Sequence, residues 1–200
     1  MFKTVILSTV ILLTFFSTAC FALVLDCNGG RYEDNGDGTV TDCKSGLIWL
    51  KNANCTDTVG GIVKTNGYLT WADAQKWVKG LADGAPGPCG LTDGSSVGDW
   101  RLPTKSELMA MVDSAITKGY TNPALTDASG TAQCLTGCIF NNVSTSYYWT
   151  YTSYPTDITS AFVLWMSAGT PDYSSKSSNS LFVWPVRGGQ AGSFGSLTIQ

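Results

Sequence analysis

Two stretches carry the side chains best suited to recognition: Tyr147-Tyr148-Trp149-Thr150-Tyr151-Thr152-Ser153-Tyr154 and Asp172-Tyr173-Ser174-Ser175-Lys176-Ser177-Ser178-Asn179. Tyrosine offers a large, rigid contact face at low entropy cost, and serine and asparagine adapt their hydrogen bonds to a partner. Aromatic rings also stack on sugar faces. The candidate ligand contacts are therefore Tyr151, Tyr154, Asp157, Asp172, Tyr173, Lys176 and Asn179, in loops or at strand ends of the C-terminal half. Ordinary polar surface competes with that reading at each position taken singly. Side chains alternate between faces along a strand, so Tyr147, Trp149 and Tyr151 would point one way and Tyr148, Thr150 and Thr152 the other, one set being core.

Catalytic chemistry has few parts to work with. The chain contains no histidine, which removes the usual neutral-pH base and the Ser-His and Cys-His nucleophile systems. Carboxylates for glycoside cleavage exist at Asp99, Asp113, Asp127, Asp157 and Asp172, but nothing in their spacing sets any two at a working separation. No cysteine pair has the CxxC spacing of a metal site. Glu33, Asn35, Asp37 and Gly38 imitate the start of a calcium loop, but Lys44 stands where the bidentate carboxylate is required, and the stretch reads better as a hairpin turn. No catalytic residue, metal or cofactor is expected.

These residues must be positioned by a secreted domain. Met1-Phe2-Lys3 and the apolar run from Val5 to Phe16 form a secretory signal whose roughly 12-residue core is too short for the about 20 residues of a membrane helix. Cleavage after Ala22 leaves residues 23–200 as a single domain without a transmembrane helix. Ser17-Thr18-Ala19-Cys20 loosely matches a lipoprotein box, with lipidation of Cys20 as the alternative route. Six cysteines remain: Cys27, Cys43, Cys55, Cys89, Cys134 and Cys138, an even number suited to disulfides in an oxidising compartment. The sequence cannot choose among the pairings. Cys134 and Cys138 are close enough to close on each other, Cys27 with Cys43 would bracket the first hairpin, and Cys55 with Cys89 follows by elimination. The full chain has 12 basic and 15 acidic residues, a balance that argues against nucleic acid as a partner.

The expected class is α+β. Arg31 to Asp42 reads as two short strands around Asn35-Gly36-Asp37-Gly38, whose Asn-Gly and Asp-Gly steps supply positive φ. Two helix starts carry a hydroxyl cap with an acid three residues on: Thr70 with Asp73, and Thr104 with Glu107 after Pro103. Trp71, Ala74, Trp77 or Val78 and Leu81 make the core stripe of the first helix, and Leu108, Met111 and Val112 that of the second. Ala161 to Met166 and Leu181 to Val186 read as buried strands.

The hairpin Arg31 to Asp42, the blocks Gly46-Leu47-Ile48-Trp49 and Asp99-Trp100-Arg101-Leu102-Pro103-Thr104, and the closing Val186-Arg187-Gly188-Gly189 together resemble the Lcl C-terminal domain family, named for a collagen-like bacterial adhesin. The resemblance spans residues 31 to 189. It implies a C-type lectin-like fold, with two short helices, antiparallel strands and long disulfide-stapled loops, similar to that of formylglycine-generating enzymes and retroelement-diversified receptors. In it Trp100 and Leu102 are buried, Arg101 pairs internally, and Trp149 is core. Copper oxidases of that fold hold their metal with a cysteine pair; Cys134 and Cys138 are the nearest formal counterpart, in surroundings that do not otherwise match. The implied function is non-catalytic recognition or adhesion at the bacterial surface, with a glycan or a host or neighbouring-cell surface protein as partner. The name-giving adhesin is associated with sulfated glycosaminoglycans, yet residues 106–200 offer only Lys118, Lys176 and Arg187, which puts sulfated ligands in doubt and leaves neutral glycans or protein receptors open. A subunit or tip of a surface appendage is the alternative, with self-association open; a diversified receptor, varying over roughly residues 147 to 187, is a second.

Overall fold

Positive φ at Gly36 (75°) and Gly38 (87°) closes the first hairpin, which joins β1 (Tyr32–Asp34) to β2 (Thr39–Asp42) in a computed structural model of the chain. The structure describes residues 27, 29–84, 88–135 and 138–188. The expected signal segment, Cys20 and Gly189 lie outside them. The oxygens of the turn serve the turn itself: Asp37 accepts from the Thr39 N–H and hydroxyl, and the Asn35 amide bonds the Thr39 and Thr41 hydroxyls. β3 (Leu47–Leu50) pairs with β2 and with β9 (Val186–Arg187), so the first and last strands of the domain share one four-stranded antiparallel sheet, ordered β1-β2-β3-β9.

The two helices begin where their caps stand. In α1 (Trp71–Lys79) the Thr70 side chain accepts from the Asp73 N–H; in α2 (Lys105–Thr117) Thr104 and Glu107 form a reciprocal capping box. Both acids are structural. Ala74, Trp77 and Val78, and Leu108, Met111, Val112 and Ala115, face the core. Trp71 does not follow the expected stripe: it is only partly buried, because it sits on the first turn, where the helix emerges at the surface.

The second sheet, ordered β4-β8-β5-β6-β7, contains β4 (Tyr68–Leu69), β5 (Tyr147–Tyr154), β6 (Asp157–Trp165), β7 (Thr170–Ser175) and β8 (Leu181–Phe182). β8 runs parallel to β5, and the other pairings are antiparallel. Two expectations change here. Leu181 to Val186 is not one strand: β8 belongs to the second sheet and β9 to the first, and Val183-Trp184-Pro185 carries the chain between them. Nor does β5 divide into one core face and one open face. Tyr148 and Trp149 are both fully buried, because the strand is central and covered on both sides, and a register shift after Trp149 breaks the alternation before Tyr151.

Aromatic side chains join the two sheets. Trp184 meets Trp49 of the first sheet at 5.7 Å between ring centroids, Tyr148 of the second at 5.6 Å and Phe140 at 5.0 Å. Buried indole N–H groups need acceptors; Trp184 finds the Leu50 carbonyl, Trp149 that of Leu69, and Trp77 that of Asp57. In the block around Trp100, Trp100 and Leu102 are buried and Arg101 forms a bidentate pair with Glu107 at 2.7 and 2.8 Å. Arg187 Nε lies 3.0 Å from the buried Asp93 carboxylate, a charge contact without hydrogen-bond alignment. Disulfides join Cys27 to Cys43, Cys55 to Cys89 and Cys134 to Cys138.

Two cations, Arg31 and Lys64, are buried among the described residues. Lys64 Nζ donates to the Cys55 carbonyl at 2.7 Å and lies 4.1 Å from the centre of the Trp77 ring. Burial pushes its pKa down to about 7, against the opposing pull of Asp57. A group lowered on folding leaves the unfolded chain holding more protons between the folded and unfolded values, so stability rises with pH across that interval. The cost of the buried charge is full below about pH 7 and fades as pH climbs toward roughly 10.4, the ordinary lysine value. Denaturation of Lys64→Met across this window is expected to show a flatter stability profile than the parent; an unchanged slope would refute the assignment.

Candidate functional site

The β5–β6 hairpin ends in a tight connection, Tyr154 pairing with Asp157, and most of the proposed contacts gather around that end. They form two aromatic clusters. In the first, the Trp71 ring stacks on Tyr151 at 6.2 Å and 27°, and Lys176 Nζ lies over the Trp71 ring, 4.2 Å from its centre. Lys176 is held there by the Ser153 hydroxyl at 2.7 Å and the Ile158 carbonyl at 2.8 Å. Trp71 Nε1 donates to the Thr150 carbonyl, and the Tyr151 N–H to that of Pro103. The rings are thereby fixed from α1, α2's leading segment and β5 at once.

In the second cluster Tyr154 stacks on Tyr173 at 4.3 Å and 17° and meets Phe162 edge-on at 5.2 Å. Lys105 Nζ sits 4.0 Å from the Phe162 ring centre, and the Lys105 N–H bonds the Thr152 hydroxyl. Tyr151 and Tyr173 are each more than half exposed, and Ile158, whose carbonyl holds Lys176, more so. Such an arrangement presents flat π-faces, two tethered ammonium groups and little flexible cover, which suits stacking and cation–π contacts with a partner.

The remaining candidates are placed differently. Asp157 is occupied by its own turn: its carboxylate accepts from the Thr159 hydroxyl, the Ser160 hydroxyl and the Thr159 N–H, which hold its pKa below the usual carboxylate value. Asp172 pairs in register with Val163 and Tyr173 with Phe162, so these neighbours on β7 address opposite faces of the sheet. Asn179 bonds the Ser174 hydroxyl at 2.8 Å. The structure thus brings Tyr151, Tyr154, Tyr173 and Lys176 into the two clusters and sets Asp172 and Asn179 apart from them. Trp71, Lys105 and Phe162 were not among the sequence candidates. Trp71 had the periodicity of a core stripe, and Lys105 and Phe162 enter through contacts between segments distant in sequence.

The carboxylates considered for hydrolysis are spread over separate local tasks. Asp99 accepts from the Ser96 N–H, Asp113 faces Lys44, and Asp127 closes its own loop through Ser129, Thr131 and Ala132. Two groups bring two cysteines and an acid within 4.8 Å, Cys27-Glu33-Cys43 and Cys55-Asp57-Cys89, but in both the sulfurs are joined to each other.

The description of the Lcl C-terminal domain matches residues 38–187, from the first turn through β9. No curated protein matches the chain. The matched span takes in β2 to β9, both helices and the whole aromatic end of the hairpin, and covers three-quarters of the sequence. The chain therefore belongs to the Lcl C-terminal domain family.

Proposed function

We propose that this domain is a secreted or surface-exposed recognition module that attaches its bearer to a glycan or a receptor protein and performs no catalysis. The observation that carries the reading is the pair of exposed aromatic stacks, Trp71 on Tyr151 and Tyr154 on Tyr173, held rigid at one end of the second sheet. Rigid aromatic surface binds with little loss of side-chain entropy. The absence of histidine from the sequence and the pairing of six cysteines support the non-catalytic part. Export is supported by the disulfides and by the signal-like start of the sequence; no helix among the described residues is long and apolar enough to cross a membrane. The C-type lectin-like reading of the fold rests on the family resemblance, and the pairing of the first sheet's early strands with the final strand is in keeping with it.

The test is binding of the exported, disulfide-intact protein to a glycan array and to intact cells, with and without a calcium chelator. Trp71→Ala with Tyr151→Ala should weaken attachment by about tenfold or more, the loss expected for removing a stacked aromatic pair from an interface. Unchanged attachment by that folded double variant would defeat this placement of the surface.

A second reading, a subunit of a surface appendage, draws on β7. It is one of the two edge strands of the five-stranded sheet and is exposed over most of its length, offering main-chain groups to another chain. Concentration-dependent assembly in sedimentation velocity would favour it over attachment.

A further inference from the structure

Beside the first turn of α1 lies an open depression of about 410 Å³, lined by Thr65, Asn66, Tyr68, Leu69, Thr70, Asp73 and Ser180. None of these residues was a sequence candidate. We propose that this depression is a subsite for one neutral saccharide unit, an inference that rests on the recognition reading above and gives it a ligand class.

Four observations lead there. The volume falls within the range of about 300–1,000 Å³ that small-molecule sites occupy. Tyr68 supplies a partly exposed ring, backed by Phe182 at 4.5 Å between centroids, and a firmly backed ring is what the C–H face of a sugar stacks upon. Around it stand hydroxyl and amide groups able both to donate and to accept: Thr65, Ser180 and the Asn66 side chain. The single charged residue of the lining is Asp73, whose carboxylate already takes the Thr70 hydroxyl and faces Lys76 at 3.5 Å. With its one acid already paired and no cation in the lining, the depression offers hydroxyl and amide partners to a sugar but no charge to hold a sulfate or carboxylate substituent.

The depression is also built to stay open. Asn66 (φ 53°) and Gly67 (φ 85°) are the two left-handed residues of a tight turn closed by the Tyr68 N–H on the Thr65 carbonyl. The Asn54 amide packs so closely under Gly67 that a Cβ there would collide with it. Behind the turn, Lys64 is tied to the Cys55 carbonyl; beside it, the Leu69 carbonyl holds the buried Trp149 indole. A ligand entering such a site spends little of its binding free energy on ordering it.

The experiment is a titration of the exported protein, followed by saturation-transfer NMR, against methyl β-galactoside, methyl α-mannoside and methyl N-acetyl-β-glucosaminide, with galactose 6-sulfate and sialic acid as charged arms. Three variants separate the sites: Tyr68→Ala removes the stack, Tyr68→Phe keeps it, and Asn66→Gly removes the amide while preserving the turn. Thermal unfolding confirms that each is folded. The expected result is saturable binding of a neutral glycoside, weakened about tenfold by Tyr68→Ala, as for loss of one aromatic stack. Tyr68→Phe should bind as the parent does and Asn66→Gly more weakly. Neutral binding that survives Tyr68→Ala but is abolished by Trp71→Ala would overturn the subsite while leaving glycan recognition standing. Binding confined to the charged arms would overturn the ligand class. Attachment to a protein receptor with no saccharide binding would overturn the inference as a whole.

Discussion

Replacing Cys55 and Cys89 together by serine is expected to lower the unfolding free energy by about 3–4 kcal/mol, the loop-closure value for a bridge of this span. The bridge is separated by 34 residues and ties the loop after β3 to a 3-10 turn at Pro88–Gly90, enclosing β4, α1 and the whole rim from Thr65 to Asp73. Chemical denaturation read by tryptophan fluorescence measures the loss directly. The Cys134–Cys138 bridge spans only 4 residues and should cost roughly half as much when removed in the same way. The order of the two effects is the sharper test, because errors in the reference state affect both variants alike. Equal losses would mean that local packing around the sulfurs outweighs loop closure. Since α1 and the rim lie inside the larger loop, the first variant should also lose saccharide binding before it loses its fold in mild denaturant.

Glu107→Ala is expected to destabilise the domain by about 2–4 kcal/mol, since one side chain closes the capping box and also neutralises Arg101. Its carboxylate accepts the Thr104 N–H at 2.7 Å and holds both Arg101 amino groups, while Arg101 also reaches the Leu102 and Gly188 carbonyls. Both side chains are less than a third exposed, so water replaces the lost partner poorly. Burial alone would raise the Glu107 pKa; Arg101, the Thr104 N–H and the Thr104 hydroxyl outweigh it and hold the group below its ordinary value. Because the folded value is the lower one, the contribution is present above the unfolded carboxylate range and disappears as pH falls through the folded value. Acid unfolding should therefore begin at higher pH in Arg101→Met, and Glu107→Ala should lose the corresponding step altogether. Glu107→Gln keeps an acceptor for the cap without the charge, and its cost should fall between parent and Ala. A cost equal to that of Ala would assign the whole effect to the ion pair.

The elements that depend on neighbours in sequence were legible in advance. Asn35-Gly36-Asp37-Gly38 specifies its turn because glycine alone reaches positive φ without strain, and β1 and β2 follow on either side. Thr70 and Thr104 mark helix starts because a hydroxyl cap and an acid three residues on satisfy the same exposed N–H groups wherever they occur. The six cysteines that follow the signal-like segment and the four spaced blocks likewise belong to the chain as written, and the blocks carry the family resemblance.

The functional surface was less legible. The composition of residues 147–154 and 172–179 marks them for recognition, but which rings emerge depends on coverage that no short pattern encodes. Tyr148 is buried because β8 and Trp184 cover it, and Tyr151 is exposed because the register shift in β5 turns it away from the core. Trp71 has a core residue's spacing and a surface residue's position, since a stripe gives the face of a helix but not where along its length the core ends. The depression at Tyr68 is the clearest case. Its walls come from residues 65–73 and from Ser180, more than a hundred positions apart, and they meet only because β4 pairs with β8. The sequence by itself determined the turns, caps, cysteine count and family, all set by interactions within a few residues or by composition. Tertiary structure alone decided which aromatic faces meet solvent and which polar groups share a rim, because solvent exposure is a property of long-range packing.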